Sequence, residues 1–293
     1  MKKAICEVCG HKNFDLIWFD KIRCSSKKFT KNKKKILKCK KCNLVFLSKK
    51  NRVLEDSSIA RNIYNKNNSM KEFIKFHKSR EIKKLDFLYD YIEPKNKKFL
   101  ESNCGTGIIL SKIKKKSKST TGVDSMHYKE FLNSMGHTHY NNLDYPIKNK
   151  LTYDYIFSLS ELEHKFNPKN FLKDIQKILD KKGKLFIRVP NFNNIYMSLL
   201  GNNFLKYDFR TSHNFYFSKE NLDILFKKTN FNIEKIFGFH EYDFNHLLEY
   251  LKTQKRVYGD YRMVFSKKDS NKVIKNIEAN LISTSLIYIL SKK

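Results

Sequence analysis

The chain reads as an α/β protein with a doubly wound, mostly parallel sheet of seven strands, preceded by a small module organised on cysteines. Three observations predict this. From residue 98 onward, short apolar runs alternate with stretches of helical period, the pattern of strand–helix–strand crossovers. The first run passes straight into a glycine turn and a helical segment, Asn103-Cys104-Gly105-Thr106-Gly107-Ile108. Ahead of it, two Cys-x-x-Cys pairs fall within the first 42 residues.

The amino-terminal module comes first, at residues 1–50. Cys6-Glu7-Val8-Cys9-Gly10 and Cys39-Lys40-Lys41-Cys42-Asn43 are two knuckles with 29 residues between them. A Cys-x-x-Cys turn points both sulfurs into one hemisphere, and Gly10 and Asn43 tolerate the twist that turns backbone amides toward them. Two such turns complete a tetrahedral thiolate set, the preference of structural zinc, so Cys6, Cys9, Cys39 and Cys42 are the expected ligands of a zinc ribbon. Four thiolates close the shell, which makes the metal structural and not catalytic. A redox role needs only one pair and a thioredoxin-like setting that is missing here. Cys24, between the pairs, reads as a spare thiol.

Residues 51–68 are polar and irregular, a linker. A helix is expected from the capping box Ser69-Met70-Lys71-Glu72, with Phe73, Ile74, His77, Ile82, Leu85, Leu88, Tyr89 and Ile92 near the helical repeat and Pro94 as its stop. The strands that follow are predicted at Lys98–Ser102, Thr120–Asp124, Thr138–Asn141, Tyr153–Leu159, Lys184–Val189, Phe231–Phe237 and Leu286–Leu290. The clearest helix is Pro168–Asp180, capped by Asn167 and apolar along Phe171, Leu172, Ile175, Ile178 and Leu179. Gly183 is expected to take a left-handed turn into the next strand. A later helix begins after Ser218, and residues from about 239 to 280 form an insertion within the domain at 69–293.

Composition narrows the function. The 293 residues are 40% hydrophobic and 14% aromatic, enough for one catalytic domain plus a small module. No run approaches the roughly 20 apolar residues that cross a bilayer. The start, Met1 to Cys6, has basic residues with no apolar stretch behind them, so no secretory signal and a reducing, cytoplasmic location are expected. The net charge of +31 suggests nucleic acid at first sight. The lysines, however, spread over nearly every segment, including helix faces such as Lys173, Lys177, Lys181 and Lys182. The runs at Lys33–Lys35 and Lys114–Lys116 do not interleave with aromatic residues as a stacking platform would. A specific nucleic-acid partner is therefore not expected, and the oligomeric state is not legible.

The glycine turn lets a cofactor lie against bare backbone at a helix start. A nicotinamide site would want a third glycine three residues after Gly107, where Leu110 stands, so the loop suits a cofactor without a pyrophosphate. Seventeen residues after Gly107 the next strand ends in Gly122-Val123-Asp124, an acidic group placed for ribose hydroxyls. The block Tyr153-Asp154-Tyr155-Ile156-Phe157-Ser158-Leu159-Ser160-Glu161-Leu162-Glu163-His164 then resembles the fourth-strand block of class I S-adenosylmethionine-dependent methyltransferases, of the FDLIFSxxVLEH type. The resemblance continues through Asn167-Pro168, the turn at Leu179-Asp180 to Gly183, and Leu185 to Asn191, and covers residues 98 to 237. It implies a Rossmann-like methyltransferase fold with S-adenosylmethionine as cofactor. Glu101, Gly105 and Gly107 would surround its methionine end, Asp124 its ribose, Ser125 and Met126 its adenine, Asp144 the adenine amino group, and Ser160 the sulfonium. Asn103 stands where the family has its first loop glycine. Its side chain either narrows the methionine pocket or accompanies a positive φ.

The ribbon-first layout resembles bacterial methyltransferases acting on sugars or other small metabolites of surface-polysaccharide and natural-product pathways. So do Leu37 to Phe46, Ser212-His213-Asn214-Phe215-Tyr216-Phe217-Ser218 and Asn245-His246-Leu247-Leu248. The implied acceptor is a small, sugar-like molecule. Two alternatives stand beside it. One is a ribosomal-RNA methyltransferase, opposed by Ser158-Leu159-Ser160-Glu161 in place of an Asn/Asp-Pro-Pro-aromatic block. The other is a non-catalytic scaffold, opposed by Asp124 and the Leu162-Glu163-His164 block. An oxygen or carbon acceptor needs a base, usually histidine. Of the nine histidines, His213 at the rim, His164 after the fourth strand and His246 in the insertion are the candidates.

Overall fold

Residues 5–25, 28–52, 70–257 and 259–293 are described by the computed structural model, and they build two sheets. The first begins with strands β1 (Phe14–Asp20) and β2 (Lys34–Cys39), an antiparallel hairpin whose register slips between Leu16 and Trp18. Strand β3 (Val45–Leu47), wholly buried, pairs antiparallel with β2. The second knuckle makes the β2–β3 turn. Asn43 takes φ 57° there and donates its backbone N–H to Cys39 O at 3.0 Å, while Gly10 at φ 82° does the same to Cys6 O at 2.9 Å.

Most of the expected linker, and Ser69 of the expected capping box, lie outside the described residues. Helix α1 (Met70–Tyr89) ends five residues before Pro94 and buries Lys84, Leu85 and Leu88. The crossovers then follow: β4 (Lys98–Ser102), α2 (Ile108–Ile113), β5 (Ser119–Val123), α3 (Lys129–Ser134), β6 (Thr138–Tyr140), α4 (Asp144–Lys148), β7 (Tyr153–Leu159), α5 (Pro168–Ile178) and β8 (Leu179–Pro190). Two short helices, α6 (Ile195–Leu200) and α7 (Asn202–Asp208), lead to β9 (Phe215–Tyr216) and α8 (Lys219–Lys228). Strand β10 (Phe231–Phe239) is joined to the last strand, β11 (Ser285–Lys292), through α9 (Phe244–Thr253) and α10 (Lys267–Ala279).

The large sheet runs β10-β11-β8-β7-β4-β5-β6. Strands β4 to β8 are mutually parallel, and β11 lies antiparallel between β8 and β10. This is the doubly wound, mostly parallel seven-stranded sheet that the alternation predicts. Strands covered by helices on both faces read as continuous apolar runs, and β7 has six of its seven residues buried. Rings stack across its neighbours, Phe99 on Tyr155 with centroids 4.9 Å apart. On α5, Asn167 caps by accepting from Asn170 N at 3.1 Å, and Phe171, Leu172, Ile175 and Ile178 are buried.

One local expectation is corrected. The α5 helix stops at Ile178, and Leu179 and Asp180 already belong to β8. Leu179 is buried opposite Tyr153, and the ladder resumes at Tyr155 opposite Lys184, so residues 180–183 bulge out of the pairing. Pairing with β7 thus outcompetes a last helical turn. Gly183 sits in this bulge and makes no left-handed turn. A Cβ there would meet Asp154 O and Asp180 N at 3.0 Å, so the glycine serves close backbone approach.

The two sheets are joined. Strand β9 pairs antiparallel with β3, Val45 opposite Tyr216 and Phe46 opposite Phe215. Beside this seam the buried Arg52 guanidinium donates to Leu47 O at 2.9 Å and Glu7 Oε1 at 2.7 Å, and lies 4.4 Å from the centre of the Phe215 ring.

Candidate active site

The carboxyl ends of β4, β5 and β7 converge, as crossover topology requires at a switch in strand order. Between β4 and α2 the backbone takes positive φ at Asn103 (64°), Gly105 (53°) and Gly107 (63°). Glycine is needed at Gly107, where a Cβ would come within 2.8 Å of Leu132 Cδ2. Asn103 adopts the left-handed backbone with its side chain turned along the end of β7, Nδ2 donating to Ser160 O at 3.3 Å. Positive φ is among the conformations that asparagine tolerates best.

Asp124, just past β5, is buried and accepts from Gly105 N and Ser125 N, both at 2.7 Å. Its carboxylate thus ties the glycine turn to the end of the neighbouring strand. Glu101, at the end of β4, is buried with Oε2 lacking a partner among the described residues. Burial, then the charge of Glu81, pushes its carboxyl well above the usual range, against the pull of Lys84. Beyond Asp124 an open cleft of about 510 Å³ is lined by Met126, Tyr140, Asn142, Asp144 and Tyr145, with Tyr140 stacked on Tyr145 at 4.8 Å. Ser125 precedes it in extended backbone. The expected cofactor residues therefore fall along one edge: Glu101 and the glycine turn in the middle, Asp124 and Ser125 beside them, Met126 and Asp144 in the cleft.

Ser160 lies just past the end of β7 at φ 81°. Its N–H donates to Arg188 O at 2.8 Å and its hydroxyl accepts from the Arg188 guanidinium. Arg188 also reaches Glu241 and Ser285. Next to it, Glu161 is buried and accepts from Ser102 Oγ and Ser158 Oγ, both at 2.9 Å, and pairs with Lys165 Nζ at 2.9 Å. Arg188, Glu161, Glu241 and the buried Lys84, whose ammonium donates to Glu81 at 2.9 Å, were not singled out from the sequence. A signal existed for Arg188, a charge inside the apolar run Leu185-Phe186-Ile187-Arg188-Val189. Glu241 had none, because its partner Arg188 comes from β8, and Lys84 had only the i,i+3 spacing to Glu81, which does not foretell burial.

Two of the three candidate histidines meet. The rings of His164 and His213 approach edge to face at 4.9 Å, although 49 residues apart. Burial, then Arg210, holds His213 well below the usual imidazole range, so it is neutral. His246 is not part of this pair. It sits on α9, bonded through Nδ1 to Tyr196 Oη at 2.7 Å and stacked on Tyr242 at 4.2 Å.

In the amino-terminal module the four expected sulfurs gather within 4.8 Å of one another, with Cys6 and Cys42 at 3.6 Å and Cys9 and Cys39 at 3.5 Å. Zinc–sulfur bonds of about 2.3 Å in a tetrahedron place sulfurs about 3.8 Å apart. The donor set fits that ion. Cys24 lies outside it and is exposed.

The chain matches a family model described as a methyltransferase domain over residues 70–236. Among solved structures, an S-adenosylmethionine-dependent methyltransferase from Archaeoglobus fulgidus aligns with 17% identity over 77% of this chain and 100% of its own, with a TM-score of 0.50. A second, from Thermotoga maritima, described as a possible histamine N-methyltransferase, aligns with 17% identity over 76% and 94% of the two chains, with a TM-score of 0.50. No curated protein sequence matches. At these identities the structures speak for the fold. No helix among the described residues is long and apolar enough to cross a membrane. With the family model spanning more than half of the chain and the switch-point site in place, the chain belongs to the methyltransferase-domain family and is a class I S-adenosylmethionine-dependent methyltransferase.

Proposed function

We propose that the chain methylates a hydroxyl of a small, sugar-like acceptor, a sugar or sugar nucleotide, and that its amino-terminal module carries one structural zinc. The observation that carries the acceptor reading is the His164–His213 pair beside the end of β7, where Nδ1 of His164 donates to Ser212 O and so leaves on Nε2 the lone pair that a hydroxyl proton needs. The sugar class rests on the resemblance of Ser212–Ser218 and Asn245–Leu248 to sugar-pathway enzymes. Surface-polysaccharide or natural-product synthesis is the corresponding setting.

The residues present fit the cofactor. Glu101 offers a buried oxygen without a partner, the glycine turn offers bare backbone, and Asp124 offers a carboxylate held rigid by two N–H donors. When bound, S-adenosylmethionine supplies the electrophilic methyl group. The chain's own task is then positional. Glu101, Asn103, Gly105 and Gly107 would hold the methionine end, Asp124 the ribose, Ser125, Met126 and Asp144 the adenine, and Ser160 would serve the sulfonium. Arg188 fixes Ser160, and Glu161 ties the ends of β4 and β7 together. Cys6, Cys9, Cys39 and Cys42 would hold the zinc, which would stabilise the module and take no part in transfer.

One observation favours an RNA acceptor instead. Phe19 is exposed on β1, and Lys33 and Lys35 place their ammonium groups 5.8 and 5.4 Å from its ring centre. The deciding experiment offers methyl-labelled S-adenosylmethionine with a panel of sugar nucleotides and with ribosomal RNA. Label in a sugar hydroxyl supports the proposal, and label in RNA alone, surviving physiological salt, overturns it.

A further inference from the structure

We propose that Glu163, His164 and His213 form a divalent transition-metal site at the acceptor end of β7, separate from the four-cysteine centre. Each of the three offers a donor atom within 4.8 Å of the other two. His164 Nδ1 contacts Ser212 O. A carbonyl can only accept, so Nδ1 carries the hydrogen and the lone pair sits on Nε2, 3.8 Å from Glu163 Oε1. A backbone carbonyl fixing one ring nitrogen is the usual way proteins aim the other at a metal.

The other two donors are buried and underused. Glu163 is 2% exposed and its Oε2 has no partner among the described residues; His213 is 5% exposed and its Nδ1 has none either. Buried polar atoms are normally satisfied. One cation between them would engage both and draw on the third donor as well.

The arrangement is built by the backbone. Asn214 N donates to Glu163 O at 2.8 Å, and Asn214 Nδ2 donates to His164 O at 2.8 Å. With the His164–Ser212 contact, the segment 212–214 is thereby fastened to the turn 162–164. Of the three guanidiniums near His213, Arg210 pairs with Asp208 and Arg188 with Glu241, and Arg23 donates its Nε to Tyr207 O at 2.9 Å. The first two pairings keep those guanidiniums off the Glu163 carboxylate.

Two imidazoles and one carboxylate suit manganese, iron, cobalt, nickel or zinc, whereas calcium and magnesium prefer all-oxygen sets. Three protein donors also leave coordination positions open, the mark of a site that takes substrate oxygens. Paired acceptor hydroxyls are the matching chemistry. That last step rests on the proposed methylation of a hydroxyl, with the bound cation, in place of the imidazoles, favouring loss of the hydroxyl proton to water; binding of the metal does not rest on it.

The test is a cobalt(II) titration of the full chain, first given one equivalent of zinc to fill the cysteine site. The expected result is about one cobalt per chain with visible d–d bands and no thiolate charge-transfer band. Glu163→Gln and His213→Gln should each weaken cobalt binding at least tenfold while binding of S-adenosylhomocysteine stays within threefold. Thermal unfolding verifies that the variants fold, and His164→Gln replaces either one that does not. No cobalt bound, a thiolate spectrum, or affinity unchanged in the folded variants overturns the site. Cobalt bound with no methylation of any hydroxyl would instead count against the acceptor reading and leave the metal site standing.

Discussion

Asp124→Ala probes the centre of the site. In the wild type its carboxylate accepts from Gly105 N and Ser125 N at 2.7 Å each, so the substitution orphans two backbone donors. Each costs about 1–3 kcal/mol if it stays dry. The site opens onto a cleft and water can reach it, so a total near 2 kcal/mol is expected, a Tm fall of roughly 4–8 °C. Cofactor binding loses more. Two ribose hydroxyls bonded to a carboxylate contribute about 1.5–3 kcal/mol each, and loss of even 3 kcal/mol raises Kd roughly a hundredfold. Asp124→Asn, which keeps one acceptor oxygen, should fall between, near tenfold by the same reckoning. Calorimetry with S-adenosylhomocysteine measures all three proteins. An alanine variant that binds within threefold of wild type would refute the assignment of Asp124 to the ribose.

The remaining predictions concern the metal module, the seam and acid stability. Metal analysis of purified protein should find about one zinc held by thiolates, lost in Cys42→Ser together with a lower Tm; a fully folded, metal-free wild type would contradict this. Arg52→Ala leaves Glu7, among the described residues, facing only Lys49 at 3.8 Å. It should cost about 3 kcal/mol, the low end for a broken buried pair, or roughly 6–12 °C in Tm, and an unchanged Tm would remove Arg52 as the fastening of the seam. Burial holds His137, His240 and His246 at about 4, below the ordinary 6.5. The unfolded chain therefore binds more protons as pH falls, and stability present above about 6.5 is lost progressively toward 4. His77 and His213 are lowered in the same sense, while Glu101 and Glu278, both held up by burial, work in the opposite sense above their usual value. The histidines outnumber the two glutamates, so stability falls as pH drops below about 6.5. Urea denaturation across that range checks it, and a flat midpoint would show that these histidines are not buried as described.

How much of this was legible beforehand depended on the range of the forces involved. The order of strands, the Pro168 helix with its Asn167 cap, the glycine turn and the two cysteine knuckles are written in neighbouring residues, because hydrophobic period, capping and thiol spacing act over a few positions. The family block at residues 153–164 marked His164 for the same reason. Local rules misjudged residues 179–183, where pairing with β7 decided between a helical turn and a strand, and where Gly183 serves contact with Asp154. Asn103 was ambiguous until its backbone was seen at φ 64°. Other features arise from contacts between distant segments. The shared β3–β9 edge brings Phe215 to Phe46, and Asn214 laces the segment carrying His213 onto the Glu163–His164 turn, which is what makes one cluster of three residues spread over 51 positions. Sequence alone therefore determined the class of fold, and singled out the residues along the switch-point edge and the four cysteines that gather. Only tertiary structure decided which buried donors meet at the acceptor end, because burial and hydrogen-bond satisfaction are properties of neighbours in space.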